Sequence, residues 1–518
     1  MKINILALLT LCILTISGCN NKIEENFNDP SKTTNTSLEY LMSGTFEISK
    51  DYYMPYYHRH FVFTNNSVGI YCQSKGWVNG LNMYVPGNGT TERWNNYYKM
   101  MRQYREFETK FASTGSDDKR IFLLASKIFF FDQTQQIVDM WGDIPWKEAG
   151  RLKENNGNIN ASKAKYDSAE EIYTTMLDEL KAIADELSSI SIPTLEQTSF
   201  TTQDLINKGD IASWKKYCNS LRLRMLVRVS DVSSFSSRAK SEIKSILDNP
   251  TKYPIISNNS EIIQVEAEGS LTHDNQGEKG IRGALESWSA DNVASKSMIS
   301  NMLENNDPRL EAMFAPNISG VYVGLDPMLD ASTQDKLIGD NALSRLDSAT
   351  FSRNIYVPGI FISAAEVSLL KAEAITKGLC TGDAKKEYEN GIKQAIEQLY
   401  SINALCDYAP PLTVEQSDIE SYIASANINW DNNANKMKLI GTQRWLNFHY
   451  LQPEQSWIEI RRTGYPELTF KEDQQADVAK VPPFRFLYPT SETSFNSENY
   501  QEVASKNTLL TKIFWDVD

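Results

Sequence analysis

Cys19 is the residue placed for covalent chemistry in this chain. It closes Ile16-Ser17-Gly18-Cys19, behind the positive Lys2 and an apolar run over 3–16. That order reads as an export signal over 1–18. Its ending matches a bacterial lipobox, in which cleavage precedes the cysteine and lipid is attached to it. The run is shorter than the roughly 20 residues that cross a bilayer, so the expectation is an anchored protein, held stably by several acyl chains. Other nucleophile signatures do not occur: there is no G-x-S-x-G and no Walker-type loop. Beyond the signal, which also holds Cys12, the cysteines other than Cys19 are Cys72, Cys218, Cys380 and Cys406, and they have no CxxC spacing. Structural zinc is therefore not expected. Cys218 reads as a small core residue within a helix, while Cys380 and Cys406 flank one helix and leave a disulfide open. His58-Arg59-His60 offers two imidazoles without a third ligand at suitable spacing, a poor metal site. No cofactor is implied, and no calcium ligand set can be picked out.

Aromatic rings supply the other chemistry. Residues 52–98 hold 12 of the 55 aromatics of the chain, with Gly and Asn interspersed. A flat ring can stack on the apolar face of a sugar while amides satisfy its hydroxyls. Trp77, bracketed by glycines, with Tyr71 and Asn79 beside it, is one candidate. Trp288, on the Gly-rich segment that begins at His273-Asp274-Asn275-Gln276, is a second. Tyr322, in Gly320-Val321-Tyr322-Val323-Gly324, is a third. Trp77, Trp288 and Tyr322 are expected to line one pocket. Replacing both tryptophans by alanine is expected to abolish binding with little change in melting. Trp94, Tyr97 and Tyr98 share a helix with Met101 and Tyr104 and read as core.

The elements that must carry these residues are helical. The stretch from Ala364 to Ile375 mixes small apolar and charged residues at helical spacing. Gly378 reads as its left-handed stop and Asp383 as the N-cap of a second helix. Ala372, Ala384 and Tyr388 match the small, small and aromatic positions of a tetratricopeptide unit of roughly 34 residues. Ala169-xxx-Tyr173 and Ala239-xxx-Ile243 open two further second helices, behind helices over 120–140 and 212–230. One such pair cannot bury its own apolar face, so the pairs must stack. The fold class expected is mainly α. A polar tether over 19–37 precedes a single unit over 38–518. The formal charge of −14 becomes −15 once the signal, which holds only Lys2, is removed. That balance argues against nucleic acid, which needs a basic face.

Six further motifs follow in order. A helix ends at Trp141-Gly142-Asp143-Ile144-Pro145-Trp146, where Gly142 permits a bend and Pro145 forbids continuation. Then come Trp214-Lys215-Lys216-Tyr217-Cys218-Asn219-Ser220-Leu221-Arg222, Asn306-Asp307-Pro308-Arg309, Thr442-Gln443-Arg444-Trp445, Trp457-Ile458-Glu459-Ile460-Arg461-Arg462 and Phe484-Arg485-Phe486. With the lipobox, this set resembles the SusD/RagB family of Bacteroidetes outer-membrane lipoproteins, in its SusD-like branch. The lysine and acids after Cys19 are similar to surface-export signals of such lipoproteins.

The resemblance implies tetratricopeptide-like helix pairs carrying long irregular loops. It implies capture of an oligomeric nutrient, a glycan foremost, at the cell surface. Delivery to a SusC-like TonB-dependent outer-membrane transporter would follow. It does not turn the motifs into a ligand site. Trp141, Gly142, Asp143, Pro145, Arg222, Arg309, Trp457, Arg461 and Arg462 read as structural, the arginines pairing with carboxylates such as Asp139, Asp307 or Glu459. Two other classes stay open: a surface glycoside hydrolase, which needs two carboxylates about 5 to 9.5 Å apart, and a peptide-binding or protein-interaction scaffold.

Overall fold

The computed structural model describes residues 36–267, 280–476 and 478–517. The signal, Cys19, the tether up to residue 35 and His273-Asp274-Asn275-Gln276 lie outside the described residues.

In chain order the longer helices are α1 (Leu38–Ile48), α2 (Asn88–Thr114), α3 (Arg120–Trp141), α4 (Ala169–Ser189), α5 (Thr194–Gln203), α6 (Ile211–Arg228) and α7 (Ser236–Asp248). After them come α8 (Lys296–Asn305), α9 (Ala331–Gly339), α10 (Ala364–Thr376), α11 (Ala384–Ala404), α12 (Gln416–Ala424), α13 (Lys436–Phe448) and α14 (Pro453–Thr463). The strands are short: β1 (Ile144–Pro145), β2 (Tyr166–Asp167), β3 (Ile263–Val265), β4 (Phe314–Ala315), β5 (Arg345–Leu346) and β6 (Gly359–Ile362). They pair antiparallel as β1 with β2, β3 with β6 and β4 with β5.

The expected helix pairs form: α3 packs on α4, α6 on α7 and α10 on α11. Ser363 caps α10 by accepting from the Glu366 N–H at 3.1 Å. Gly378 follows the helix at φ +68°, and Asp383 caps α11 by accepting from the Lys386 N–H at 3.0 Å. The α10–α11 approach is close because Gly391 faces Leu369; a Cβ there would come within 2.7 Å of the Leu369 side chain. The Tyr388 hydroxyl reaches across to donate to the Ile428 carbonyl at 2.9 Å. At the end of α3, Gly142 sits at φ +81°, a conformation L side chains resist. Trp141 and Trp146 on either side are buried, and Trp146 stacks on Phe130 at 6.3 Å.

The helices are registered by buried ions. Arg224 of α6 pairs with Asp132 of α3 at 3.0 Å and with Glu366 of α10 at 2.6 Å. One turn on, Arg228 binds Asp139 of α3 and, at 2.9 Å, Glu459 of α14. Arg444 and Arg462 share Glu373 and Glu459 between them. Burial alone would raise the Glu373 and Glu459 carboxyls; the guanidiniums of Arg462 and Arg444 outweigh it and hold both well below the usual carboxylate range. Removing one partner of such a pair costs about 3–5 kcal/mol, whereas replacing both with well-packed apolar groups is often neutral. The network therefore acts chiefly on which helix sits where.

The apolar interior falls into two large clusters and a small third one. The third is built from Val293, Leu325, Ile338 and Leu343, with Val78 and Ala290 packed on it. It lies under the loops that carry the candidate rings.

Candidate functional site

Trp288 is the one exposed tryptophan among the described residues, with 68 % of its area accessible. Its backbone N–H donates to Asp291 Oδ2 at 3.0 Å, which fixes the turn that presents the ring. The ring borders a depression of about 500 Å³ lined also by Glu286, Asn292, Arg345 and Arg353. That volume lies within the ~300–1,000 Å³ typical of ligand sites.

The polar floor is held in place. Arg345 donates to the Ser289 carbonyl at 2.6 Å and to Asn292 Oδ1 at 2.7 Å. Arg353 donates to Glu286 Oε1 at 3.0 Å and to the Tyr408 hydroxyl at 2.8 Å, its guanidinium lying 4.8 Å from the Tyr408 ring centre. Tyr408 is itself 54 % exposed. Burial would raise the Glu286 carboxyl, but hydrogen bonds from Arg353, Ser352 and Arg282 outweigh it and lower it. Glu286 is thus a fixed acceptor and not a proton donor near neutral pH. Two exposed rings, an amide and anchored charges give a surface for stacking and for hydroxyl recognition.

The three expected rings do not share a pocket. Trp77 borders a separate depression of about 480 Å³, with Phe61, Leu81 and Met83. Tyr322 borders another of about 380 Å³, with Pro308, Glu311 and Tyr400. The reason is packing of the loops. Trp77 is only 6 % exposed and stacks on Phe470 at 6.3 Å. Asn79 is drawn inward, donating from its amide to the Pro327 and Leu329 carbonyls at 2.8 Å each, while its N–H donates to Gln334. Tyr71 is buried, donates to the Tyr84 carbonyl at 3.0 Å, and packs on Trp457 and Phe486. Removing Trp77 would therefore open the core, which corrects the expectation of an unchanged melting curve. Tyr408 and Arg345 carry no sequence signal that singles them out; a tyrosine just beyond a helix end is common.

The motif residues sit inside the framework. Trp141 donates to the Leu487 carbonyl at 3.0 Å, and Asp143 accepts from the Ala169 N–H at 2.9 Å. Pro145 accepts from the Tyr98 hydroxyl at 2.9 Å. Arg222 pairs with Glu242, a carboxylate not anticipated, at 3.0 Å. Arg461 donates to the carbonyls of Phe484 and Asp139 and lies 3.7 Å from the ring centre of the buried Trp457. Arg462 binds Glu373 and Glu459. His58 contacts Glu92 at 3.0 Å, while His60 is buried and stacks on Tyr450. Among the described residues no group of three or more His, Cys, Asp or Glu is placed to hold a metal. Cys72, Cys218, Cys380 and Cys406 are free thiols, so Cys380 and Cys406 are not joined. Among the described residues no helix is long and apolar enough to cross a membrane.

Stacked helix pairs that display rings and amides from their connecting loops define a class of binding proteins. Residues 45–489 match the SusD-like family model described as starch-binding and associating with the outer membrane, and the chain belongs to that family. A chitin-binding protein of known structure is 22 % identical, with a TM-score of 0.72 over 92 % of this chain and 100 % of its own. A SusD-like protein labelled Bacteroidetes AC2a is 21 % identical, with a TM-score of 0.74 over 93 % and 100 %. A SusD homologue from Bacteroides fragilis is 20 % identical, with a TM-score of 0.70 over 93 % and 99 %. At these identities the likeness establishes the fold. No curated protein matches the chain.

Proposed function

We propose that this protein captures an oligomeric nutrient, a glycan, on the Trp288 surface and passes it to a SusC-like TonB-dependent transporter. Lipid on Cys19 would hold it on the outer membrane, facing the cell exterior. The observation that carries the glycan reading is the exposed Trp288 ring beside Asn292, Arg345 and the Arg353–Tyr408 pair. The family description, starch-binding and associating with the outer membrane, supports the same reading. Binding of this kind needs stacking and hydrogen bonding but no proton transfer, and Glu286, with its carboxyl lowered, suits an acceptor role. The test is calorimetry with purified protein against starch-like and chitin-like oligosaccharides. Trp288→Ala is expected to weaken the bound oligosaccharide at least about tenfold, roughly 1.4 kcal/mol. Unchanged affinity in that variant would remove the site.

A further inference from the structure

The basic groups around Trp288 are not matched by acids. The chain as a whole carries a net charge of −14, yet its Trp288 depression is lined by Arg345, Arg353 and a single carboxylate, Glu286. That carboxylate is already engaged: Arg353 holds it at 3.0 Å and Arg282 at 3.2 Å. The acids next in sequence are taken up by backbone. Asp291 accepts the Trp288 N–H at 3.0 Å and Asp347 the Thr350 N–H at 2.7 Å, and neither lines the depression.

Arg345 is the charge left over. It stands on β5, where its backbone pairs with Ala315 of β4 and bridges to Val293, so its base is fixed from both sides. Its acceptors are all neutral. Nη1 donates to the Ser289 carbonyl and Asn292 Oδ1, and Nη2 makes one long bond, 3.4 Å, to Asn341 Oδ1. Nη1 has thereby used both its hydrogens, while Nη2 keeps one. The Nε–H has no partner among the described residues and is not sealed from solvent. Burial lowers this guanidinium below its ordinary range, and no carboxylate among the described residues offsets it. Arg93 and Arg485 also lack an ion-pair partner there, but both are buried, 5.2 and 4.7 Å from a tyrosine ring centre. The Nε–Nη2 edge is a fork that meets a carboxylate with two parallel bonds. Arg309 uses that same edge on Asp307; in Arg345 it stays open.

We infer that Arg345 is a carboxylate subsite of the Trp288 surface, which makes the preferred ligand an acidic oligosaccharide built with uronic-acid units. The bond to the Ser289 carbonyl sets the guanidinium beside the turn that presents Trp288. One sugar ring can stack there while a carboxylate on the same or the next unit takes the open fork. The ligand then supplies the counter-charge that the fold withholds. Because the chain is acidic overall, the preference is set by contact and not by long-range steering. The inference rests on the Trp288 reading and adds the sign of the ligand's charge to it.

The experiment is calorimetry on the full-length protein with oligogalacturonate, oligoguluronate and oligoglucuronate, each as the carboxylate and as its methyl ester, and with a sulfated neutral oligosaccharide. At least one uronate is expected to bind about tenfold or more tightly than its ester. Arg345→Gln is expected to bring acid and ester within about twofold of each other. Arg345→Lys, which keeps the charge without the fork, should retain part of the gap. Trp288→Ala should weaken acid and ester alike and leave their ratio unchanged. The acid–ester comparison on the unsubstituted protein decides the matter even should Arg345→Gln fail to fold. Absence of binding by every uronate overturns the inference. So does an ester that binds as well as its acid, a gap that survives Arg345→Gln, or a sulfated oligosaccharide that binds as tightly as the uronate. A gap set by Arg345 with both affinities untouched by Trp288→Ala would instead sink the Trp288 reading and leave the carboxylate subsite standing.

Discussion

Arg309 clasps Asp307 with one edge of its guanidinium, donating from Nε to Oδ1 at 2.9 Å and from Nη2 to Oδ2 at 2.6 Å. Both residues are almost wholly buried, and Tyr422 and Gln443 complete the set at 3.0 and 2.9 Å. The pair fixes the turn between α8 and the segment that follows it onto α12 and α13. Asp307→Asn is expected to cost about 3–5 kcal/mol, because it strands a buried cation. Asp307→Asn with Arg309→Met is expected to cost clearly less than the sum of the single changes. Urea unfolding of the two single variants and the double variant measures the difference, and simple additivity would rule out the pair as the source of the loss.

The two tryptophans of the loop region should part company. Trp77→Ala removes a buried ring and is expected to destabilise by about 3–5 kcal/mol. Trp288→Ala changes an exposed one and should stay within about 0.5 kcal/mol. Thermal melts of both variants decide this directly, and a large loss from Trp288→Ala would mean that its ring is part of the interior.

Lys75 is 4 % exposed, and burial pushes its amine down to about 8, partly offset by Asp291. Its folded pKa therefore lies below the unfolded value of roughly 10.4. Below about pH 8 the charge is buried at full cost, and the cost fades as pH rises toward 10.4. Lys75→Met should thus stabilise at pH 7 by ~1–3 kcal/mol and lose that advantage near pH 10.5. Denaturant midpoints across that range check the sign; a gain that grows with pH would contradict it.

His60 has both ring nitrogens buried without partners, and burial lowers its pKa well below the ordinary value. Burial likewise pushes His449 down to about 3. Both are neutral in the folded chain but gain a proton in the unfolded one below about pH 6.5. Stability should therefore fall on acidification from pH 6.5, by up to ~1.4 kcal/mol per pH unit for each imidazole. His60→Phe, which can keep the stack on Tyr450, is expected to remove about half of that slope between pH 6 and 5. A slope unaffected by the substitution would place the acid sensitivity elsewhere.

The helix pairs were legible because their signals are local. Gly378 and Asp383 mark ends within one turn of the residues they cap, and Ala372 and Tyr388 mark faces by spacing alone. Trp288 on a polar turn read correctly as exposed for the same reason. Trp77 did not. Its glycine neighbours suggest a surface loop, but Asn79 is tied to carbonyls about 250 positions away in sequence. Arg228 was missed likewise: its carboxylates come from Asp139 and Glu459, brought together only by folding. Spacing along one helix carries no trace of partners on two others.

The two fully buried thiols, Cys72 and Cys218, have a consequence for life outside the cytoplasm. Burial pushes Cys72 and Cys218 up to about 12, so almost none of either is thiolate, the form that attacks a disulfide. Neither of these two thiols should then enter disulfide exchange. The shape around them should hold alike in reducing and oxidising surroundings.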